Sequence, residues 1–245
     1  MRDQATLFIS DLHLDPRRPA MTGLLLKFLE QPAREAEALY ILGDLFEAWI
    51  GDDDDAEPGP TVAAALRTLT GVGVPVYFLH GNRDFLLGER FAAASGVQLL
   101  PESVVIELAG EPVLLLHGDT LCIDDREYQA FRAQVRHPAW QAQILALPLA
   151  QRRALAGQLR ETSRQVAQQK ATDIIDVNLA EVDRVMLAHG VQRLIHGHTH
   201  RPAIHDLRLE GQPAQRAVLG DWQEQQGSVL RCDASGWRLE PFTDA

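Results

Sequence analysis

Five short polar motifs contain residue types that bind metal ions and activate water. Each directly follows an apolar run: Asp11-Leu12-His13 follows LFIS, Gly43-Asp44 follows LYIL, Gly81-Asn82-Arg83-Asp84 follows VYFLH, His117-Gly118-Asp119 follows VLLL, and Gly197-His198-Thr199-His200 follows RLIH. Their oxygens and imidazole nitrogens form a mixed donor set that suits Mn²⁺, Fe²⁺, Zn²⁺ or Co²⁺ better than Ca²⁺ or an iron–sulfur cluster. The candidate metal ligands are Asp11, His13, Asp44, Asn82, His117, His198 and His200.

These motifs are far apart in the chain, so the fold must bring them together. The carboxyl ends of parallel strands lie along one edge of an open α/β sheet, where such folds bind ligands. Each motif is a weak signal, because a lone histidine is more often structural than a ligand. Five of them at successive strand ends predict a two-metal site. If the backbone stays extended, the pairs Asp11/His13 and His198/His200 each turn both side chains the same way.

Hydrophobic periodicity predicts the elements that position these motifs. Short runs rich in Val, Ile, Leu and Phe predict strands near Thr6–Ser10, Leu39–Leu42, Val76–Leu79, Val104–Leu108, Val113–Leu116, Arg193–Ile195, Ala217–Leu219 and Ser228–Cys232. Helical patterns lie at Ala20–Glu30, Thr61–Leu69 and Glu89–Ala94. Strands alternating with helices indicate an α/β sheet. Turn signals at Glu210-Gly211 and Ser235-Gly236 predict a second, mostly antiparallel sheet in the closing third.

The middle of the chain has a different pattern. Residues from about 125 to 188 show only helical patterning, which Pro138 and Pro148 interrupt. We interpret this stretch as a helical cap inserted into a single domain that spans residues 1–245. The acidic run Asp52–Asp55 is most simply a solvated loop.

Composition and charge exclude several classes of protein. The 245 residues include 23 Lys+Arg and 34 Asp+Glu, a formal net charge of −11, which argues against a protein that coats nucleic acid. No apolar stretch has the length of a transmembrane helix or a secretory signal. The two cysteines, Cys122 and Cys232, fit a reducing compartment, so we expect a cytoplasmic protein. Residues 126–170 depart from the average and carry a formal charge of +6.

Together the five motifs resemble the signature of the calcineurin-like metallophosphoesterases. That resemblance implies a four-layer α/β/β/α sandwich with two divalent metal ions at the sheet edge, Mn²⁺ being the favoured metal. It implies that one ion is held by Asp11, His13, Asp44 and His200. It implies that the other is held by Asp44, which is shared, and by Asn82, His117 and His198.

Arg83 departs from many members of the family, which carry histidine at this position. Arginine cannot act as a general acid at neutral pH, but its guanidinium can hold phosphate oxygens bidentately. Three features, Arg83, the run 47–52 and the helical cap, make the resemblance more specific. Together they resemble members of the family that hydrolyse UDP-2,3-diacylglucosamine to UMP and 2,3-diacylglucosamine 1-phosphate in lipid A biosynthesis. The implied mechanism is attack by a metal-activated hydroxide, and the implied catalytic residues are Asn82, Arg83 and His198. Asp84 and Asp119 are candidates either to orient the histidine rings or to hold turns.

The same resemblance implies a lipid-linked UDP-sugar as the substrate. Its implied contacts are Trp49, Asn82, Arg83, Asp125, Tyr128, Phe131, Arg160, Ser163, Lys170 and His198. For each cap residue the alternative is a solvated helix face, and for the apolar stripe of the cap it is ordinary packing on the core. A basic, apolar cap also suits peripheral contact with an anionic membrane surface, at the cytoplasmic face of the inner membrane. No nucleic acid or protein partner is indicated.

Two other functions fit the same motifs. One is a general metallophosphoesterase that acts on nucleotide diphosphates or phosphodiesters, but such an enzyme has no use for about 45 residues of basic and apolar cap. The other is a non-catalytic binding module with the same fold. Competent residues at all seven ligand positions argue against that module.

Overall fold

Eleven strands, seven α-helices and two short 3-10 helices, Pro32–Glu35 and Asp119–Leu121, lie in the part of the chain that the structure describes. It is a computed structural model that describes residues 5–169 and 176–244, with the stretch 162–169 described by its backbone alone. The strands are β1 (Thr6–Ile9), β2 (Ala38–Ile41), β3 (Val76–Phe78), β4 (Gln98–Leu99), β5 (Ser103–Leu108), β6 (Glu111–Leu116), β7 (Arg193–His196), β8 (Ala203–Leu209), β9 (Gln212–Val218), β10 (Gly227–Asp233) and β11 (Gly236–Phe242). The helices are α1 (Pro19–Glu30), α2 (Gly59–Gly71), α3 (Glu89–Ser95), α4 (Arg126–Val135), α5 (Pro138–Leu145), α6 (Leu149–Gln169) and α7 (Leu179–Ala188).

The strands form two mixed sheets. The first has the order β11-β10-β1-β2-β3-β4, in which β1 to β4 are parallel and the pair β10 and β11 is antiparallel. The second has the order β5-β6-β7-β9-β8, with a parallel centre of β6, β7 and β9 and antiparallel edges. Both sheets therefore have parallel strands whose carboxyl ends can present ligands.

Alternate residues along the strands face different layers, as the two-residue period of a strand requires. In β1, Leu7 and Ile9 pack with α1, α2 and α3, whereas Phe8 belongs to the core between the sheets. In β6, Leu114 packs with α7, and Leu115 belongs to the core between the sheets. The order helix, sheet, sheet, helix confirms the predicted α/β/β/α sandwich.

The closing third of the chain differs from the prediction. All eight predicted strands overlap an observed strand, but β10 and β11 extend the first sheet beside β1 and do not belong to a separate antiparallel sheet. A turn signal predicts that two strands pair as a hairpin, but it does not tell which sheet the hairpin joins. The edge strands β4, β8 and β11 escaped prediction. Strand β4 has only two residues, and β8 and β11 are partly exposed edge strands that carry more polar residues.

The helices between β6 and β7 are of two kinds. The helices α4, α5 and α6, here called the cap helices, contribute none of their described residues to the three hydrophobic clusters. The prolines that interrupt the pattern start helices: α5 begins at Pro138, and α6 begins directly after Pro148. By contrast, α7 packs on the second sheet through Val182 and Met186. No helix in the described part of the chain has the length and hydropathy to cross a membrane.

The acidic run at residues 52–55 is not simply a solvated loop. Asp52 accepts hydrogen bonds from three backbone N–H groups at the start of α3, at 2.9 to 3.0 Å. Asp53 and Asp54 form ion pairs with Arg152 and Arg153 of α6. The run therefore joins α3 and a cap helix to the loop that follows β2.

Candidate active site

All seven predicted metal ligands meet where β1, β2, β3, β6 and β7 end. In one group, His200 Nε2 lies 3.3 Å from both Asp11 Oδ1 and His13 Nε2. The donor atoms of these three residues are close enough to share one ion.

A second group lies beside the first. Donor atoms of Asp11, Asp44 and His117 also lie within reach of one ion. His117 Nε2 is 3.0 Å from Asn82 Oδ1 and 3.7 Å from Asp44 Oδ1, and the ring of His198 lies 5.0 Å from that of His117. The carboxylates of Asp11 and Asp44 thus lie between the two groups.

Several hydrogen-bond acceptor atoms of these residues point at one another, with too few hydrogen-bond donors between them. His117 Nδ1 donates to the carbonyl of Leu42 at 2.8 Å, so in the neutral ring the unprotonated Nε2 faces the Asn82 oxygen. His13 and His200 likewise aim Nε2 at Nε2. Asp11 Oδ1 is buried and accepts no hydrogen bond from the described residues. Converging lone pairs of this kind fit divalent cations, which relieve the repulsion.

The turns that present the ligands are tighter than predicted. Five ligands adopt left-handed backbone with φ between +49° and +69°, namely Asp11, His13, Asp44, His198 and His200. The assumption of extended backbone in the two ligand pairs is therefore wrong, because β1 and β7 end before their ligands begin. Left-handed backbone costs about 1–3 kcal/mol per residue and persists only where surrounding contacts hold it. Hydrogen bonds to the carbonyls of the loop after β2 provide such contacts, since Asp11 N donates to Gly43 O at 3.1 Å and His13 N donates to Asp44 O at 2.9 Å.

Asp84 holds together the two loops that carry Asp44 and Asn82. Its buried carboxylate accepts hydrogen bonds from Leu45 N at 2.8 Å and from Gly81 N at 2.9 Å. Burial and the charge of Asp44 raise the pKa of Asp84. No hydrogen bond joins Asp84 to a histidine ring in the described part of the chain, so it acts on the loops.

Asp119 ties the cap helices to the site. Its buried carboxylate accepts hydrogen bonds from Tyr128 OH at 2.9 Å and from Arg132 Nε at 2.7 Å, both on α4. The ring of Tyr128 in turn stacks on that of His198, with centroids 6.0 Å apart. The predicted contact residue Tyr128 is therefore positioned by Asp119.

The surroundings of the histidines give them opposite proton affinities. Burial, with the neighbouring His117, lowers the pKa of His198 to about 4, so this ring is neutral, which is the form in which histidine binds a metal ion. Burial would also lower the pKa of His13, but a hydrogen bond to Glu47 and the charges of Asp44 and Asp11 outweigh burial and raise it to about 9. The carboxylates that stabilise a proton on His13 would stabilise a bound metal cation for the same electrostatic reason.

A cavity of about 660 Å³ extends from the cluster to a position beneath the cap helices. Its apolar side chains include Phe85, Phe131, Trp140, Ile144, Leu155 and Leu159. The predicted substrate contacts that line it are Trp49, Asn82, Arg83, Asp125, Tyr128, Phe131, Arg160 and His198. The side chain of Ser163 and the whole of Lys170 lie outside the described residues. The apolar stripe of the cap thus faces a cavity.

Sequence reasoning missed several charged residues around the site. Glu47 Oε2 lies 3.3 Å from His13 Nδ1, and Arg132 and Arg136 of α4 line the cavity. Since residues four apart share one helix face, the spacing of Arg132 and Arg136 could have indicated a common cationic surface. The partner of Glu47 lies in another loop, so no local pattern could have revealed it.

The chain is similar to several known proteins. The sequence profile of the calcineurin-like phosphoesterase family matches residues 5–202. A UDP-2,3-diacylglucosamine hydrolase of Stenotrophomonas maltophilia (strain R551-3) is 58% identical over 245 residues, covering 97% of this chain and 98% of that protein. One of Xanthomonas oryzae pv. oryzae (strain PXO99A) is 55% identical over 244 residues, covering 97% and 98%. A solved archaeal phosphodiesterase aligns with 97% of this chain and 99% of its own, with a TM-score of 0.48 and 10% identity.

Proposed function

Because this chain belongs to the calcineurin-like phosphoesterase family, we propose that it hydrolyses the diphosphate bond of UDP-2,3-diacylglucosamine, yielding UMP and 2,3-diacylglucosamine 1-phosphate. Its relatives with more than half their residues identical carry the name UDP-2,3-diacylglucosamine hydrolase. The observation that carries the proposal is the junction of the ligand cluster with an apolar cavity of about 660 Å³. A diphosphate attached to acyl chains needs both parts.

Membership of the family implies divalent metal ions, and we propose two, with Mn²⁺ favoured. The first would be held by Asp11, His13, Asp44 and His200. The second would be held by Asp44, Asn82, His117 and His198. When bound, such ions supply Lewis acidity that polarises phosphoryl oxygens and lowers the pKa of a water molecule.

Arg83 would hold the diphosphate against the cluster. Its backbone N–H donates to Asp44 Oδ1 at 2.8 Å, while its side chain lines the cavity. The Nε atom of Arg83 is buried and makes no hydrogen bond to the described residues, so the protein leaves this donor unsatisfied beside the cavity. A guanidinium at this position would stabilise the negative charge that develops in the transition state. The other two proposed catalytic residues are Asn82 and His198, which line the same cavity.

The reaction replaces one phosphorus–oxygen bond by another. The oxygen of water forms a bond to the phosphorus next to uridine, and the bond from that phosphorus to the bridging oxygen breaks. The bridging oxygen leaves with the sugar 1-phosphate. The two protons of water pass to the two phosphate monoesters that form, which release most of them to solvent at neutral pH because their second pKa is about 6. No nucleophilic serine or cysteine is required.

We also propose that the cap contacts an anionic membrane surface at the cytoplasmic face of the inner membrane, from which a lipid substrate would be drawn. Phe131 of α4 and Leu145 of α5 are 40% and 41% exposed. Residues 126–170 carry a formal charge of +6. Apolar and cationic side chains together favour binding at the interface of an anionic bilayer.

The decisive experiment compares turnover of UDP-2,3-diacylglucosamine with turnover of UDP-glucosamine in Mn²⁺. We expect kcat/KM to be at least about a hundredfold higher for the diacylated substrate, because burial of each acyl methylene contributes about 0.8 kcal/mol. Equal values would contradict the role of the apolar cavity. Absence of turnover with both substrates would contradict the proposed function. Phe131→Ser, at the cavity wall, should lower the preference for the diacylated substrate.

A further inference from the structure

A second cavity, of about 260 Å³, adjoins the candidate active site. Glu47, Trp49 and Arg160 line both this smaller cavity and the larger one, so the two cavities meet along a common border. Glu47 lies 3.3 Å from the ring of His13. The border therefore lies beside the ligand cluster, where the diphosphate would be cleaved.

The smaller cavity has a lining of opposite charges already paired with each other. Arg17 donates to Asp15 at 2.7 to 2.8 Å, and Arg153 donates to Asp54 at 2.6 Å. Arg160 also reaches Asp15, at 3.3 Å. A paired lining of this kind suits an uncharged ligand with many hydrogen-bonding groups, because carboxylates accept hydrogen bonds from ribose hydroxyls and guanidiniums donate to ring carbonyls.

Resting on the proposed function, we propose that the smaller cavity binds the uridine half of the substrate. The substrate has two dissimilar arms on one diphosphate, and the structure has two dissimilar cavities that meet beside the proposed metal ligands. The larger, apolar cavity suits the acyl chains, whereas the smaller one has paired charged side chains in its lining and is about the size of a nucleoside. The diphosphate then crosses the border at Glu47 and Arg160.

Gly157 of α6 offers a selective probe of this cavity. It lines the smaller cavity but not the larger one, and a Cβ at this position would have no neighbouring atom within 4 Å. Gly157→Leu therefore introduces bulk at the cavity wall without a clash, and leucine favours helix over glycine by roughly 0.8 kcal/mol. The matched control is Gly23→Leu in α1, where a Cβ also meets open space.

The test is calorimetric titration of the Mn²⁺-loaded protein with UMP and, separately, with 2,3-diacylglucosamine 1-phosphate. We expect Gly157→Leu to weaken UMP binding at least about tenfold while the affinity for the lipid product stays within about twofold; Gly23→Leu should change neither. A second variant, Arg17→Ala, removes a side chain that lines only the smaller cavity, and it should weaken UMP binding in the same selective way.

Unchanged UMP affinity in both cavity variants would overturn the inference, as would an equal loss of UMP and lipid affinity. Circular dichroism of each variant excludes loss of fold as the cause. The proposed function fails on a different result, absence of UDP-2,3-diacylglucosamine turnover by the unmodified protein. The two failures are therefore distinguishable.

Discussion

Arg152 donates two parallel hydrogen bonds to the carboxylate of Asp53, with Nη1 at 2.7 Å from Oδ1. The same guanidinium donates to the carbonyls of Ile50 at 2.7 Å and Leu147 at 2.9 Å. Its side chain is 3% exposed. Through these contacts α6 is fixed to the loop after β2, which also carries Trp49. The position of this wall of the larger cavity therefore depends on Arg152.

We expect Arg152→Ala to lower the free energy of unfolding by about 1–3 kcal/mol, because two partly buried carbonyls and the carboxylate of Asp53 lose their donor. The cap helices should become less well fixed over the larger cavity. KM for the diacylated substrate should then rise more than kcat falls. Chemical denaturation and steady-state kinetics measure the two effects.

Arg153→Ala is the matched control for this prediction. Its ion pair with Asp54 involves an arginine side chain that is 52% exposed. Exposed pairs contribute little, so its loss should lower the free energy of unfolding far less than the loss of Arg152. Similar losses in the two variants would show that Arg152 has no special structural role.

The ligand residues themselves could be predicted from the sequence. Each follows a buried apolar strand, and parallel strands end at a common edge. The proximity of Asp11 and His200 could therefore be predicted before the structure was known. Their backbone conformation could not be predicted, because it depends on hydrogen bonds from distant loops. The bond from Asp11 N to Gly43 O joins residues on two different strand ends.

The acidic run at residues 52–55 shows where sequence patterns stop being informative. A short stretch of aspartates before a proline-rich turn is typical of a solvated loop. Its structural role depends on Arg152, which lies 99 positions along the chain from Asp53. The sheet that β10 and β11 join is likewise decided by long-range packing, here of Leu230 with Phe8.

Gly43 is expected to be essential to the metal site. It has φ of +87°, and a Cβ there would lie 2.3 Å from Gly81 N and 2.4 Å from Gly81 Cα. Gly43→Ala should force apart the loops that carry Asp44 and Asn82. We expect the free energy of unfolding to fall by about 3 kcal/mol or more, with loss of bound metal.

Gly73→Ala is the control for Gly43→Ala, because it introduces backbone strain without a steric clash. Gly73 also has positive φ, +96°, but a Cβ there would meet no atom within 4 Å. Its substitution should cost about 1 kcal/mol and leave bound metal unchanged. Denaturation curves and elemental analysis compare the two variants, and equal metal content in both would contradict the steric argument.

Substitutions of His13 and of Arg83 should have different effects on metal binding. His13→Ala removes a proposed ligand, so we expect bound Mn²⁺ to fall from two ions per chain towards one and turnover to be lost. Arg83→Ala keeps the backbone N–H that contacts Asp44, so metal content should be unchanged while kcat falls by about 10²–10³. Elemental analysis of dialysed protein tests both expectations. Metal loss in Arg83→Ala would show that its side chain supports the cluster.

Tyr40 should make stability depend on pH in the alkaline range. Its half-buried ring stacks on Phe8 at 5.0 Å and on Tyr77 at 4.6 Å, and burial, with Tyr77 and Glu37, raises the pKa of Tyr40 to about 12. The unfolded chain releases this proton near its ordinary pKa of 10.0. The stability that the neutral phenol contributes is therefore complete below pH 10 and is lost as pH rises through 12.

We therefore expect Tyr40→Phe to change the alkaline limb of the stability curve. The difference in unfolding free energy between the variant and the unmodified protein should be constant up to about pH 9. It should then move in favour of the variant by about 1 kcal/mol near pH 12, a value reduced for partial exposure of the ring. Urea denaturation at intervals between pH 7 and pH 12 measures this difference. A difference that stays constant across the whole range would show that Tyr40 ionises equally in both states.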